Sequence, residues 1–183
     1  MDYISLSISL AILTISGLTF WLSRIKKGTV KMTRPTMIYF GVDSKGQKKI
    51  GIRTLLYSTS EKGKYVQYMY VQLQRRETVQ NFNVWSYKNN GLVLGSGLFV
   101  NKTGVSCDHS FLLPKDGTHY TFLSGDYVLQ VFIEAIDEKP KKIFEQRLLL
   151  TPQQQEAMEL KNGTVYFNWA PNTQNYFSHI VLG

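Results

Sequence analysis

Hydrophobic and polar positions follow two rhythms along this chain. From Tyr3 to Ser23 the run YISLSISLAILTISGLTFWLS carries no charge over 21 residues. Wound as a helix it reaches about 31 Å, close to the hydrocarbon thickness of a bilayer. Tyr3 and Trp21 stand near its two ends, where interfacial aromatics belong. The start, MDY, has no basic region and the end, LTFWLSR, has no small-residue cleavage site, so the pattern predicts a retained span over residues 3–23. Ser5, Ser9, Ser16, Thr19 and Ser23 fall in one narrow stripe at helical spacing. Such a stripe predicts contact with a second membrane helix. The alternative is an amphipathic helix lying on lipid or on its own domain.

After Lys27 the period becomes two. KYVQYMYVQLQ sets Met69, Val71 and Leu73 against Tyr68, Tyr70, Gln72 and Gln74. QNFNVWSYK sets Phe82 and Val84 against Asn81, Asn83, Trp85 and Tyr87. GDYVLQVFIEA sets Tyr127, Leu129, Val131, Ile133 and Ala135 against Val128, Gln130, Phe132 and Glu134. Each reads as a half-buried strand. Further strands are expected at Thr36–Gly41, Lys49–Ser58, Ser96–Val100, Val105–Leu113, Lys142–Leu150 and Thr164–Trp169. KNNG, PKDG and EKP supply turn chemistry between them, and the spacing of roughly ten residues predicts a β-sandwich or barrel. One short helix is expected in LTPQQQEAMELKNG: Thr151 caps it, Pro152 opens it, Gln154 completes a capping box, and Asn162-Gly163 stops it.

The chain therefore divides into a hydrophobic helix at 1–27, a β domain at 28–170 and a tail at 171–183. The tail has no clear period, but Tyr176, Phe177, Ile180, Val181 and Leu182 make it too apolar to be idle. It is expected to pack back on the domain or to dock a partner. The net charge of +8 includes Arg24, Lys26 and Lys27, which follow the apolar run, and Asp2, which precedes it; without these, 18 basic and 12 acidic residues leave +6. Basic flanks on the C-terminal side predict a single-pass protein with its β domain in the cytoplasm. A single cysteine, Cys107, suits a reducing compartment and excludes an intramolecular disulfide.

Chemistry is harder to find. In VSCDHSF, Cys107 and His109 share a strand face, which would bring a thiol near an imidazole. The same residues also belong to the alternating set Val105, Cys107, His109, Phe111 and Leu113, which reads as a core stripe. His109, His119 and His179 are far apart in sequence, phosphate-loop and dinucleotide signatures are missing, and no cofactor is expected. Opposite the aliphatic stripes lie Tyr68, Tyr70, Trp85, Tyr87 and Phe132, with Arg75, Arg76 and Lys88 close in sequence. An aromatic, basic sheet face of this kind can dock protein or stack the bases of nucleic acid.

LSGDYVLQV, with Gly125-Asp126 ahead of Tyr127, Leu129 and Val131, resembles the penultimate strand of immunoglobulin-like sandwiches. The resemblance implies an antiparallel immunoglobulin-like β-sandwich whose Tyr127 hydroxyl reaches upstream backbone. The pattern T-x-P-T-x-I-x-F-G at Thr33–Gly41, behind an N-terminal hydrophobic segment, resembles small bacterial membrane-anchored proteins. The function expected is that of a membrane-anchored, non-catalytic binding or scaffolding module with a protein partner or self-association. The alternatives are a small hydrolase using Cys107 and His109, and a nucleic-acid-binding sandwich.

Overall fold

The period-two segments assemble into two antiparallel sheets whose apolar faces meet. The computed structural model describes residues 3–22, 28–43, 46–88, 92–95, 97–114 and 119–182. Ser23, Arg24, Lys26 and Lys27, and the predicted turns at 89–91 and 115–117, lie outside the described residues.

Helix α1 spans Tyr3–Phe20 and buries none of its residues. Strands follow as β1 (Val30–Met32), β2 (Met37–Val42), β3 (Lys48–Ser58), β4 (Lys64–Arg75), β5 (Thr78–Phe82), β6 (Val84–Lys88), β7 (Leu92–Leu94), β8 (Leu98–Val100), β9 (Val105–Leu112), β10 (Gly125–Ala135) and β11 (Lys141–Leu150). Helix α2 (Pro152–Leu160) precedes β12 (Thr164–Ala170) and β13 (Asn175–Val181). The larger sheet runs β13-β12-β2-β3-β9-β6-β7, with β1 also on β3; the smaller runs β11-β10-β4-β5, with β8 also on β4.

Alternation places the core as the sequence predicts along β4, β9 and β10. Met69, Val71, Leu73, Phe111, Tyr127, Leu129 and Val131 are buried between the sheets. Phe122, from the 119–124 loop, stacks on Phe40 of the larger sheet at 5.0 Å and on Phe82 of the smaller at 6.0 Å. The tail segment forms β13, paired antiparallel with β12 from Ala170↔Asn175 to Thr164↔Val181. The sandwich thus continues through the segment after residue 170.

Trp85 and Tyr87 correct the predicted outer face. Trp85 is buried, and Tyr87 is half-buried with its hydroxyl donating to the Gly97 carbonyl at 2.9 Å. The reason is a change of sheet. The chain leaves the smaller sheet after Phe82, and Val84 joins the larger one beside β9. Facing sheets present opposite sides of the backbone to one core, so the inward set passes from Phe82 to Trp85 across Asn83. Gly95 completes the accommodation, because a Cβ there would stand 2.4 Å from the indole ring.

Helix α2 forms as its caps dictate. Thr151 accepts from the Gln154 N–H while the Gln154 side chain accepts from the Thr151 N–H. Gln154 is buried and donates to Ser178 Oγ at 2.8 Å, which ties the helix to β13.

The inter-sheet stack sets a stability contrast. Phe40→Ala removes a ring that meets Phe122, Tyr127 and Phe167, and is expected to cost about 3–5 kcal/mol. Gln72→Ala, on the outer face, should change stability by about 0.5 kcal/mol or less. Urea denaturation followed by tryptophan fluorescence checks both.

Candidate functional site

The outer face of the smaller sheet holds three of the predicted interaction residues. Tyr70 and Phe132 are direct partners across β4 and β10, with ring centroids 4.9 Å apart and planes within 2°. Tyr68 lies on the same face, and its hydroxyl donates to the Asn83 carbonyl, bracing the point where the chain changes sheets. Burial raises the pKa of both tyrosines, and the neighbouring Glu134 charge adds to the rise at Tyr70. The rest of this face mixes polar groups and charges of both signs with exposed Val79 and Leu149. Gln72 bonds to Asn81, while Gln130 and Lys142 both bond to Glu145.

Arg75 does not join that face. It is the last residue of β4 on the inward-facing set, beyond the end of the core. There its Nε donates to the Ser124 carbonyl at 3.1 Å. Gly125 makes the approach possible: its φ is +135°, and a Cβ would come within 3.2 Å of Arg75 Nε. Beside Arg75 opens a cavity of about 480 Å³, lined by Gln74, Arg75, Arg76, Gly125, Asp126, Tyr127, Val128 and Arg147. A second cavity of about 200 Å³ shares Arg75 and Tyr127 and extends to His119, Tyr120 and Thr121. Three guanidinium groups against the single carboxylate of Asp126 give the larger cavity a positive lining. Its volume lies in the range of small-ligand sites.

Tyr127 supports this corner from below. It is fully buried, and its hydroxyl donates to the Leu123 carbonyl at 2.6 Å. Arg147 is the member that sequence reasoning missed. Val128 pairs with Gln74 on one side and Arg147 on the other. Counting from the EKP turn alone would place Gln146 there, because a bulge between Val131 and Phe132 shifts the register by one.

The larger sheet carries an outward-facing row, half-buried at Tyr39 and Tyr166, that the sequence did not announce. Tyr39 meets Tyr166 at 5.4 Å, and Tyr166 meets His179 at 5.4 Å. Arg53 and Asp108, paired across β3 and β9, bond at 2.6 and 3.0 Å, and that carboxylate raises the arginine pKa.

Cys107 and His109 lie in the core, on one face of β9. Burial raises the thiol pKa, with the Asp108 charge adding to it, so the sulfur stays protonated. His109 Nδ1 accepts the Trp85 indole N–H at 3.2 Å, which places the ring proton on Nε2, a buried atom without a partner. This arrangement suits packing and leaves the thiol without an activating base. Among the described residues, no three His, Cys, Asp or Glu side chains gather as a metal site.

Burial lowers the His109 pKa from 6.5 to about 4, against a weaker upward pull from Asp108. The unfolded chain therefore takes up this proton near 6.5 and the folded chain only near 4. Stability should be full above the higher value and fall by about 3 kcal/mol as pH drops to the lower one. Acid titration of urea midpoints checks this. A His109→Gln variant, which keeps an acceptor for the indole, should lose most of that slope. Set against protein-family models, curated proteins and solved structures, the chain finds no match, so the reading of its site rests on its own geometry.

Proposed function

We propose that this chain is a membrane-anchored recognition module whose sandwich offers the arginine-lined cavity to an acidic segment of a protein partner. The cavity carries the reading. Arg75, Arg76 and Arg147 come from two strands and a turn, and the Ser124 carbonyl holds the first in place. Three arginines lining one concave site suit carboxylates, which accept guanidinium groups bidentately.

Helix α1 supports the anchor. It is the one helix among the described residues long and apolar enough to cross a membrane. Its large side chains are exposed all round, from Ile4 at 73% to Phe20 at 60%. Removing them from water is worth on the order of 15 kcal/mol. The hydroxyl groups oppose this little, since Ser7, Ser9, Thr14 and Thr19 donate to carbonyls three or four residues back at 2.7–2.8 Å. A helix apolar on every side belongs in lipid or against other membrane helices. Ser5, Ser9, Ser16 and Thr19 give it a small-residue side for such a contact, including self-association. The basic residues after it favour a cytoplasmic sandwich.

A sheet face that sets exposed Val79 and Leu149 among charges of both signs favours protein over nucleic acid. Tyr70 and Phe132 stack on each other, which covers one face of each ring that a base would need.

The test uses the full chain in neutral-lipid nanodiscs and a fluorescent glutamate-rich peptide. Arg76→Asn with Arg147→Gln should weaken binding roughly tenfold or more, on the scale of charge-assisted hydrogen bonds. Asn suits the positive φ of 51° at position 76, so the turn survives. Added salt should weaken binding by the native chain. Equal binding by the double variant, or tighter retention of a single-stranded oligonucleotide, would overturn the proposal. Release of the protein from native membranes by alkaline extraction would overturn the anchor.

A further inference from the structure

The end of the sandwich nearest α1 is built from lysine-bearing loops. Thr29 is locked to Thr59: its N–H donates to Thr59 Oγ1 at 2.8 Å, and its carbonyl accepts the Thr59 N–H at 3.0 Å. The strand order gathers three loops around this joint, at 59–63, 101–104 and 136–140. Ser58 N–H donates to the Asn101 carbonyl, and Ile136 N–H to that of Tyr65. Between β1 and the start of β11 lies a cavity of about 240 Å³ with Lys31, Lys141 and Lys142 on its walls beside Val30, Met32 and Ile143. Lys62, Lys102 and Lys139 are exposed at the same end.

The acids here pair with lysines of the same end, one of them Lys142 of the cleft. Glu61 pairs with Lys102, Glu138 with Lys64, and Glu145 with Lys142. Lys31 and Lys141 therefore enter no ion pair among the described residues, and Asp137 is the acid left to oppose them.

Only residues 23–27 separate Leu22 from Gly28. Fully extended, that connection spans at most about 20 Å. A sandwich tethered so closely to a spanning helix keeps this end within reach of the headgroup layer.

We propose that the cleft between β1 and β11 binds anionic phospholipid headgroups and seats the basic end of the sandwich on the bilayer. The inference rests on the anchor reading. Lysines suit the task, because a compact ammonium on a flexible stem follows a moving phosphate. Each one near an anionic surface adds about fivefold to the partition. Val30, Met32 and Ile143 give the cleft an apolar lining beside the ammonium groups.

The test places a fluorophore on a Thr103→Cys variant of the full chain, in vesicles carrying a headgroup-linked quencher. The native Cys107 is buried and stays in place. Quenching should be several-fold stronger when phosphatidylglycerol is present than in phosphatidylcholine alone. Lys31→Gln with Lys141→Gln should abolish the difference, while a probe on Glu159→Cys in α2 should show none. Equal quenching in both lipids, no effect of the double variant, or displacement by millimolar inorganic phosphate at constant ionic strength would overturn the headgroup site. Flotation with neutral vesicles reads the anchor separately. If the chain floats only with anionic vesicles and the lysine variant does not, the anchor fails and the cleft stands. Failure to float with either overturns both.

Discussion

Three consecutive residues, Phe122 to Ser124, join the core of this protein to its candidate site. Phe122 sits between Phe40 and Phe82 and so contacts both sheets at once. The next carbonyl, on Leu123, takes the Tyr127 hydroxyl, and the next, on Ser124, takes Arg75 Nε. The Ser124 N–H donates to Gln155 in α2 at 2.6 Å. Driving Phe122 into the core therefore fixes the wall of the arginine cavity and the seat of the closing helix together. The stack gains mainly from burial of apolar surface, while the three hydrogen bonds satisfy polar groups that would be costly to bury alone. Position at the site is a by-product of packing.

What the chain announces in advance depends on whether a residue's environment repeats locally. Strands β4 and β10 alternate because one face of each is dry and the other wet along its whole length, so their inward sets were legible. Helix α2 was legible from its ends, since Thr151, Pro152 and Gln154 act within one turn. Strand β13 was not. It lies at the edge of the larger sheet with nearly every residue exposed, and a strand wet on both faces has no period to read. Trp85 was misread for the opposite reason: two correct local alternations meet at Asn83 with their inward faces exchanged. Arg147 needed a bulge that no periodicity reports. The misses lie at joins between strands, where long-range geometry decides.

The pairing of Trp85 with His109 shows why a suggestive cluster need not be a site. A thiol and an imidazole two residues apart on a strand project in parallel, and here both project into the core. The indole N–H takes the one ring nitrogen that would act as a base. His109 is held by apolar and aromatic neighbours, including Trp85, Tyr87 and Phe111. The unpaired Nε2 proton is a cost, on the order of 1–3 kcal/mol for a buried donor. That cost comes with burial among aromatic rings, and the same burial lowers the His109 pKa.

The two basic cavities of the sandwich differ in chemical type. The end that receives the chain from α1 carries Lys31, Lys62, Lys102, Lys139, Lys141 and Lys142, while the opposite end gathers Arg75, Arg76 and Arg147 around one cavity. Ammonium groups keep strong hydration and tolerate a fluid array of anions, and guanidinium groups favour planar, oriented partners. A domain that rests on lipid through one end must keep that surface adaptable. A domain that selects a partner through the other needs donors held in fixed directions, as Ser124 holds Arg75. Two arginines away from that cavity follow the same rule: Arg53 is clamped by Asp108, and Arg34 lies 4.0 Å over the Trp169 ring. Under the proposed seating of the lysine cleft on anionic lipid, the arginine cavity at the other end of the sandwich would face away from the bilayer, open to an acidic partner.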